Sequence, residues 1–230
     1  MRLLLLSNST LPGQPFLGWP KEHITNFFKD LNGQILFVPY AGVSIEYDQY
    51  SELVIRAFKN MGLEMVSIHT QANKVKAVEE AAAIAVGGGN TFHLMKEMYD
   101  EDVVEAIRKA VRGGTPYVGW SAGSNVACPS VKTTNDMPIV EPPTFEALDL
   151  VDFQINPHYT EKTIEGHGGE SRDQRILEFL VANKEMTVIG LPEGSLLKVE
   201  GDVITLEGSV AKLFRFGEET IELQEGELNL

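Results

Sequence analysis

Cysteine is almost absent from this sequence. Its one thiol, Cys128, has no partner for an intrachain disulfide, which leaves no pairing framework and fits a reducing compartment. Cations are also scarce: 19 Lys and Arg stand against 33 Asp and Glu, a formal net charge of −14. Proteins that bind nucleic acid or anionic membrane over a broad surface are usually basic, so neither partner is expected. An anionic ligand must instead be caught by a local cation against a repulsive background. No apolar run approaches a membrane span. The opening "MRLLLLSNST" imitates a secretory leader, but its apolar core is only Leu3 to Leu6 and no small-residue cleavage site follows. Without secretion the Asn8-Ser9-Thr10 glycosylation triplet carries no meaning. A cytoplasmic protein is the expectation.

What is present is a globular composition. Apolar residues make up 43% and charged residues 23%, enough for a core and too apolar for disorder. The 230 residues, with no repeat, linker or low-complexity tract, are expected to form a single domain over 1–230. Short runs that are apolar throughout, at 2–7, 35–40, 64–69, 82–87, 116–120, 152–156 and 186–191, suit strands buried on both faces of a parallel sheet. Helical patterns lie between them. "DEDVVEAIRKAVRGG" puts Val103, Val104, Ile107, Ala110 and Val111 on one face and can end at Gly113. "SRDQRILEFLVANK" does the same with Ile176, Leu177 and Leu180, behind Ser171 as N-cap, and "SELVIRAFKNMG" closes on Gly62. This alternation predicts an α/β fold, a doubly wound three-layer sandwich. From Gly194 onward apolar and polar residues alternate between "EGD", "EGS" and "FGEE", which predicts a C-terminal antiparallel edge on the sheet.

Gly119-Trp120-Ser121-Ala122-Gly123 fits G-x-S-x-G. The chemistry behind that pattern is a sharp strand-to-helix turn that lifts a serine oxygen above a sheet, with small neighbours where the backbone doubles back. The context is right: a strand is predicted up to Trp120, and "SAGSNVA" can open a helix. Such a serine needs a base, an orienting acid and an oxyanion site. Of five histidines, His23 and His93 fall in predicted helices and His69 ends a weak strand. His158 follows "DFQINP", just past a strand, where α/β sheets gather their ligands. Two acids can orient it: Asp136 in "TTNDMP", or Glu193 in "GLPEGS" beyond strand 186–191. Gly87, Gly88 and Gly89 of "VGGGNTF", between a strand and a helix, offer backbone N–H groups for an oxyanion, with Gly88 and Gly89 the leading pair. The nucleotide motif G-x-G-x-x-G fails there at Phe92. A metal site built from His158, Glu165, His167 and Glu170 matches no zinc spacing, so no metal or other cofactor is expected. Cys128, seven residues past Ser121, reads as a buried structural thiol two turns along the same helix.

With these residues assembled, the sequence resembles the peptidase E family, bacterial α-aspartyl dipeptidases of serine peptidase family S51. The resemblance runs through "LLLLSNSTLPG", "VPYAGV", "VGGGNTFHL", "GWSAGSNVACP", "TTNDMPIVEPPTFEALDL", "QINPHYT", "EGHGGESRDQRI" and "TVIGLPEGS", and weakens after Leu197. It implies a flavodoxin-like sandwich related to class I glutamine amidotransferases. It also implies metal-free hydrolysis of Asp-Xaa dipeptides, with Ser121 as nucleophile, His158 as base, and Asp136 or Glu193 as the third member. The oxyanion donors are then Gly88 or Gly89 together with Ala122. A substrate aspartate needs a cation. Of seven arginines, Arg172 and Arg175 directly follow the Gly-rich loop after His158, and Arg172, at the start of its helix, can reach back over that loop. A guanidinium suits a carboxylate because two parallel hydrogen bonds fix its plane. The acid left over from the triad is then the acceptor for the substrate α-ammonium. The partner expected is a small Asp-Xaa peptide, and the protein a monomer or homodimer. Rival readings are an esterase or cyanophycinase-like peptidase on the same scaffold, and a non-catalytic sensor of acidic dipeptides. A glutamine amidotransferase needs cysteine where Ser121 stands.

Overall fold

A computed structural model describes residues 1–162 and 168–230. The first half of the chain winds β1 (Arg2–Leu6), α1 (Lys21–Phe27), β2 (Ile35–Val38), α2 (Tyr47–Lys59), β3 (Met65–Ser67), α3 (Lys74–Glu80), β4 (Ala83–Val86), α4 (Thr91–Asp100), α5 (Val104–Arg112) and β5 (Tyr117–Trp120). These five strands lie parallel in the order β1-β5-β4-β2-β3. Their alternate residues fall into two separate cores. Leu3, Leu5, Leu36, Val38, Ile84 and Val86 meet Met95 and Met98 of α4 and Ile107 and Val111 of α5. Leu4, Leu6, Ile35, Phe37, Ala83 and Ala85 meet Ile24 and Phe27 of α1 and Val54 and Phe58 of α2. A strand with both faces buried has no polar face to show, which is why these runs are apolar throughout.

The second half is α6 (Ala122–Asn125), β6 (Gln154–Tyr159), α7 (Arg172–Ala182), β7 (Thr187–Pro192), β8 (Leu196–Glu200), β9 (Val203–Glu207), β10 (Ala211–Arg215), β11 (Ile221–Leu223) and β12 (Gly226–Leu228). Here the arrangement adds something to the expected sandwich. β8 pairs antiparallel with the free edge of β1, and β9 and β12 extend the sheet outward, giving β12-β9-β8-β1-β5-β4-β2-β3. With that edge occupied, β6 and β7 form a second sheet, β11-β10-β7-β6. The C-terminal meander is therefore shared between two sheets. It crosses over at Gly208 (φ 107°), where a Cβ would lie 2.4 Å from Gly194 O. One face of the second sheet joins the first core through Ile155, Ile189 and Leu191. Its other face packs Tyr159, Val188 and Phe214 against Ile176 and Leu180 of α7.

Some local expectations shift. Ser171 caps α7 in a full capping box with Gln174, an arrangement worth about 1 kcal/mol. Leu177 faces solvent, because the stripe α7 buries is set by Ile176 and Leu180 alone. After α5 the left-handed residue is Gly114 (φ 112°), while Gly113 keeps helical φ. The helix after Ser121 has only four residues, so Cys128 lies beyond it. Cys128 is fully buried, accepts the Ile155 N–H at 3.2 Å, and burial pushes its thiol up to about 12. No helix among the described residues is long and apolar enough to cross a membrane.

Candidate active site

At the C-terminal end of β5 the backbone turns through Ser121, held at φ 54°, ψ −113°. Few non-glycine residues adopt such a conformation, which costs about 1–3 kcal/mol where it occurs. The surroundings enforce it. Ser121 N–H donates to Leu6 O at 3.0 Å, while Ser121 O accepts from Ser124 and Asn125 N–H, both at 3.0 Å. A Cβ on Gly119 would lie 2.3 Å from Gly123 O, and one on Gly123 would lie 2.1 Å from Val86 O. The two glycines of the motif are thus required by backbone-to-backbone contact on either side of the serine. Ser124 Oγ, 2.6 Å from Leu6 O and 2.8 Å from Gly119 O, ties the turn to β1 and β5. Tyr117 OH donates to Gly123 O at 2.6 Å, and burial keeps this phenol protonated.

Ser121 Oγ lies 2.8 Å from His158 Nε2, and His158 Nδ1 lies 2.7 Å from Glu193 Oε1. The three come from the ends of β5, β6 and β7, across two sheets rather than along one edge. An ionised carboxylate can only accept, so Nδ1 carries the imidazole proton and Nε2 presents its lone pair to the serine. The His158 and Glu193 side chains are 40% and 48% exposed, which leaves the pair open to small molecules. Asp136 is elsewhere. Its Oδ2 accepts Thr91 N–H at 2.7 Å, at the start of α4, and the Thr134 hydroxyl at 3.1 Å. An acid beside a helix N-terminus is electrostatically stabilised there, a use the loop sequence does not announce.

The glycine loop after β4 lies against Ser121: a Cβ on Gly88 would be 3.0 Å from Ser121 Cβ. Tyr50 OH, which accepts Trp120 Nε1–H at 3.2 Å, donates to Gly88 O at 2.9 Å. In a trans peptide C=O and N–H point in opposite directions, so Gly89 N–H is turned away from Tyr50. Gly89 itself sits at φ 143°, with Ala41 O 2.1 Å from where its Cβ would be. The N–H groups of Gly88, Gly89 and Ala122 engage no acceptor among the described residues. Burial raises the Tyr50 phenol to about 12, so it remains a donor. Tyr50 escaped the sequence reading because a helical tyrosine carries no local signal of its partner.

Arg172, at the start of α7, donates to Asn135 Oδ1, and Asn135 Nδ2 donates to Pro157 O at 2.6 Å, one residue from His158. Its partner is thus neutral, and no carboxylate pairs with it among the described residues. Burial and the nearby Arg175 lower the guanidinium's affinity for its proton, so Arg172 is a half-buried cation whose charge no described carboxylate matches. It lines a cleft of about 180 Å³ with Asp136, Thr134, Asn135 and Asn156. Asn156, buried on β6, donates to Thr133 O and Asn135 Oδ1, and its own Oδ1 has no partner among the described residues. Arg175 lines the same cleft and lies 3.8 Å from Glu170, with both side chains exposed. Glu165 and His167 of the weighed metal cluster lie outside the described residues.

Comparison with known proteins places the chain in a family. The sequence profile of peptidase family S51 matches residues 3–207. The chain belongs to peptidase family S51. It is 49% identical to a protein named Peptidase E from Nostoc sp., over 96% of this chain and 92% of that one. It is 46% identical to Peptidase E from Salmonella paratyphi A, over 98% and 99%. The fold is shared with the crystal structure of a peptidase from an acI-B1 actinobacterium, at a TM-score of 0.67 and 18% identity over 96% of both chains.

The elbow packing makes a direct prediction. Gly123→Ala drives a methyl into the Val86 carbonyl, which no rotamer can relieve, so a loss of at least about 3 kcal/mol of stability is expected. Urea denaturation measures it, and a variant as stable as wild type would show that the turn can relax.

Proposed function

We propose that this family S51 peptidase is a serine-type dipeptidase that cleaves dipeptides with an N-terminal aspartate. The observation that carries the reading is the hydrogen-bonded series Ser121 Oγ, His158 Nε2, His158 Nδ1, Glu193 Oε1, with the serine on a strained elbow. His158 Nε2 takes the Ser121 proton as Oγ attacks the scissile carbonyl carbon. Glu193 holds the Nδ1–H tautomer and stabilises the imidazolium. The developing oxyanion is received by N–H groups of Gly88 or Gly89 and Ala122, which lie beside Ser121 without an acceptor among the described residues. His158 then gives the proton to the leaving amine, the C–N bond breaks, and an aspartyl ester remains on Ser121. Water deprotonated by His158 hydrolyses it and restores the serine hydroxyl.

Specificity follows from charge. In a chain of net charge −14, the guanidinium of Arg172, which no described carboxylate pairs, is suited to the substrate carboxylate. Asp136, in the same cleft with one oxygen uncommitted, is suited to the α-ammonium.

Ser121→Ala is expected to lower kcat for Asp-Leu by about four to six orders of magnitude with the fold intact. Glu193→Gln should lower kcat by up to about ten-thousand-fold, because the amide favours the wrong imidazole tautomer. Asp136→Asn should instead weaken the preference for a free α-amine, read by comparing Asp-Leu with its N-acetyl form. Near-normal turnover after Ser121→Ala would end the reading.

Arg172→Met is expected to lower kcat/KM for Asp-Leu by roughly one to three orders of magnitude, the cost of leaving the substrate carboxylate unpaired beside a half-buried site. Asn-Leu, without that charge, should be far less affected. An unchanged Asp-Leu to Asn-Leu ratio would assign the carboxylate to another group.

A further inference from the structure

The last residue of β1 and the two that follow it bond to the backbone of Ser121, of His158 and of the turn just after Glu193. Leu6 O accepts Ser121 N–H at 3.0 Å. The next residue, Ser7, accepts His158 N–H on its Oγ at 2.9 Å and donates its single hydroxyl proton to Leu191 O at 2.8 Å. Ser7 N–H donates to Ser195 O at 3.0 Å. Asn8 accepts Gly194 N–H on its Oδ1 at 3.0 Å and donates from Nδ2 to Thr10 O at 2.9 Å. Both side chains are buried, with Ser7 0% and Asn8 2% exposed. Three consecutive residues thus hold the nucleophile's backbone, the base's backbone and the turn that carries the acid.

The base and the acid both need such support. His158 has φ 53°, a left-handed conformation that costs a residue with a Cβ about 1–3 kcal/mol. It sits where the β6–β7 register shifts between Pro157 and Tyr159, so no ladder partner in β7 fixes it. Ser7 Oγ is the acceptor that its N–H finds. Glu193 is exposed on a turn closed by Ser195 N–H to Pro192 O at 3.2 Å, with Gly194 left-handed at φ 78°. Asn8 is the side chain that anchors this turn to β1.

We infer that Ser7 and Asn8 are positioning residues for the triad: Ser7 sets the imidazole, and Asn8 sets the turn carrying its orienting carboxylate. The inference rests on the serine-peptidase reading of the site. Neither residue touches the reacting atoms. Ser7 ties β6 and β7 of the second sheet, and Asn8 ties the turn after β7, to the end of the strand of the first sheet that also registers Ser121. A shift between the sheets would lengthen the Ser121–His158 contact, and these bonds oppose it.

The experiment compares Ser7→Ala, Ser7→Thr and Asn8→Ala with wild type and Ser121→Ala, measuring kcat and KM for Asp-Leu and the Tm of each protein. Ser7→Ala and Asn8→Ala are expected to lower kcat about 10- to 100-fold, the scale of a misplacement near 1 Å. KM should stay within about threefold of wild type, because the Arg172 cleft is untouched. Ser7→Thr keeps an oxygen on the same Cβ and should recover most of the kcat, even as its added methyl lowers Tm. That separation of rate from stability is what a merely structural serine would not produce. Wild-type kcat in Ser7→Ala and Asn8→Ala, or rates that simply follow Tm across the series, would overturn the inference. Should Ser7→Ala fail to fold, Asn8→Ala and Ser7→Thr decide by the same criteria. Normal turnover by Ser121→Ala would instead locate the failure in the peptidase reading itself.

Discussion

β1 is bonded on both sides, to β5 in parallel and to β8 in antiparallel register, and the rest of the architecture follows from that double pairing. A strand with both edges filled admits no third neighbour. β6 and β7 are therefore displaced into a second sheet, whose inner face shares the first core through Ile155, Ile189 and Leu191. The two sheets meet over the end of β1, and that is where the polar residues Ser7 and Asn8 follow four fully apolar ones.

The candidate triad lies at this meeting point. Two residues with side chains, Ser121 and His158, occupy left-handed backbone at φ 54° and φ 53° and face each other at 2.8 Å. Each conformation is unfavourable alone and is sustained by bonds from outside its own element, Leu6 O for one and Ser7 Oγ for the other. Strain of this kind persists only when the surrounding packing determines the backbone. At the elbow that packing is backbone against backbone, Gly123 on Val86 O, which explains why small residues flank the serine at fixed distance.

The sandwich was legible because its signal is local. Runs apolar at every position mean strands covered on both faces, and the two cores confirm that alternate residues of β1, β2 and β4 serve opposite helix layers. The elbow was legible for the same reason, since Gly119, Ser121 and Gly123 constrain one another within five residues. The second sheet was not. β6 and β7 carry the same apolar pattern as the central strands, and no periodicity records which edge a strand joins. The two acids could not be separated either, because Asp136 and Glu193 both stand in polar turns. Their difference is a partner 45 residues away in one case, Thr91 N–H, and the imidazole 35 residues away in the other. Ser7 and Tyr50 carried no signal, and Asn8 only that of a glycosylation triplet, because a serine, an asparagine or a tyrosine declares its function only through what it touches across the fold.

Charge completes the picture. The chain repels anions overall, and Arg172 offers a guanidinium that no described carboxylate pairs, one asparagine away from the strand that carries His158. The most direct measurement of the central claim, that the fold activates Ser121, is covalent labelling of the native protein with a serine-directed aspartyl phosphonate, followed by peptide mapping. The account predicts a single adduct on the peptide containing Ser121, suppressed by Asp-Leu and absent from the urea-unfolded chain. No adduct, an adduct on a different serine, or equal labelling of folded and unfolded protein would contradict it.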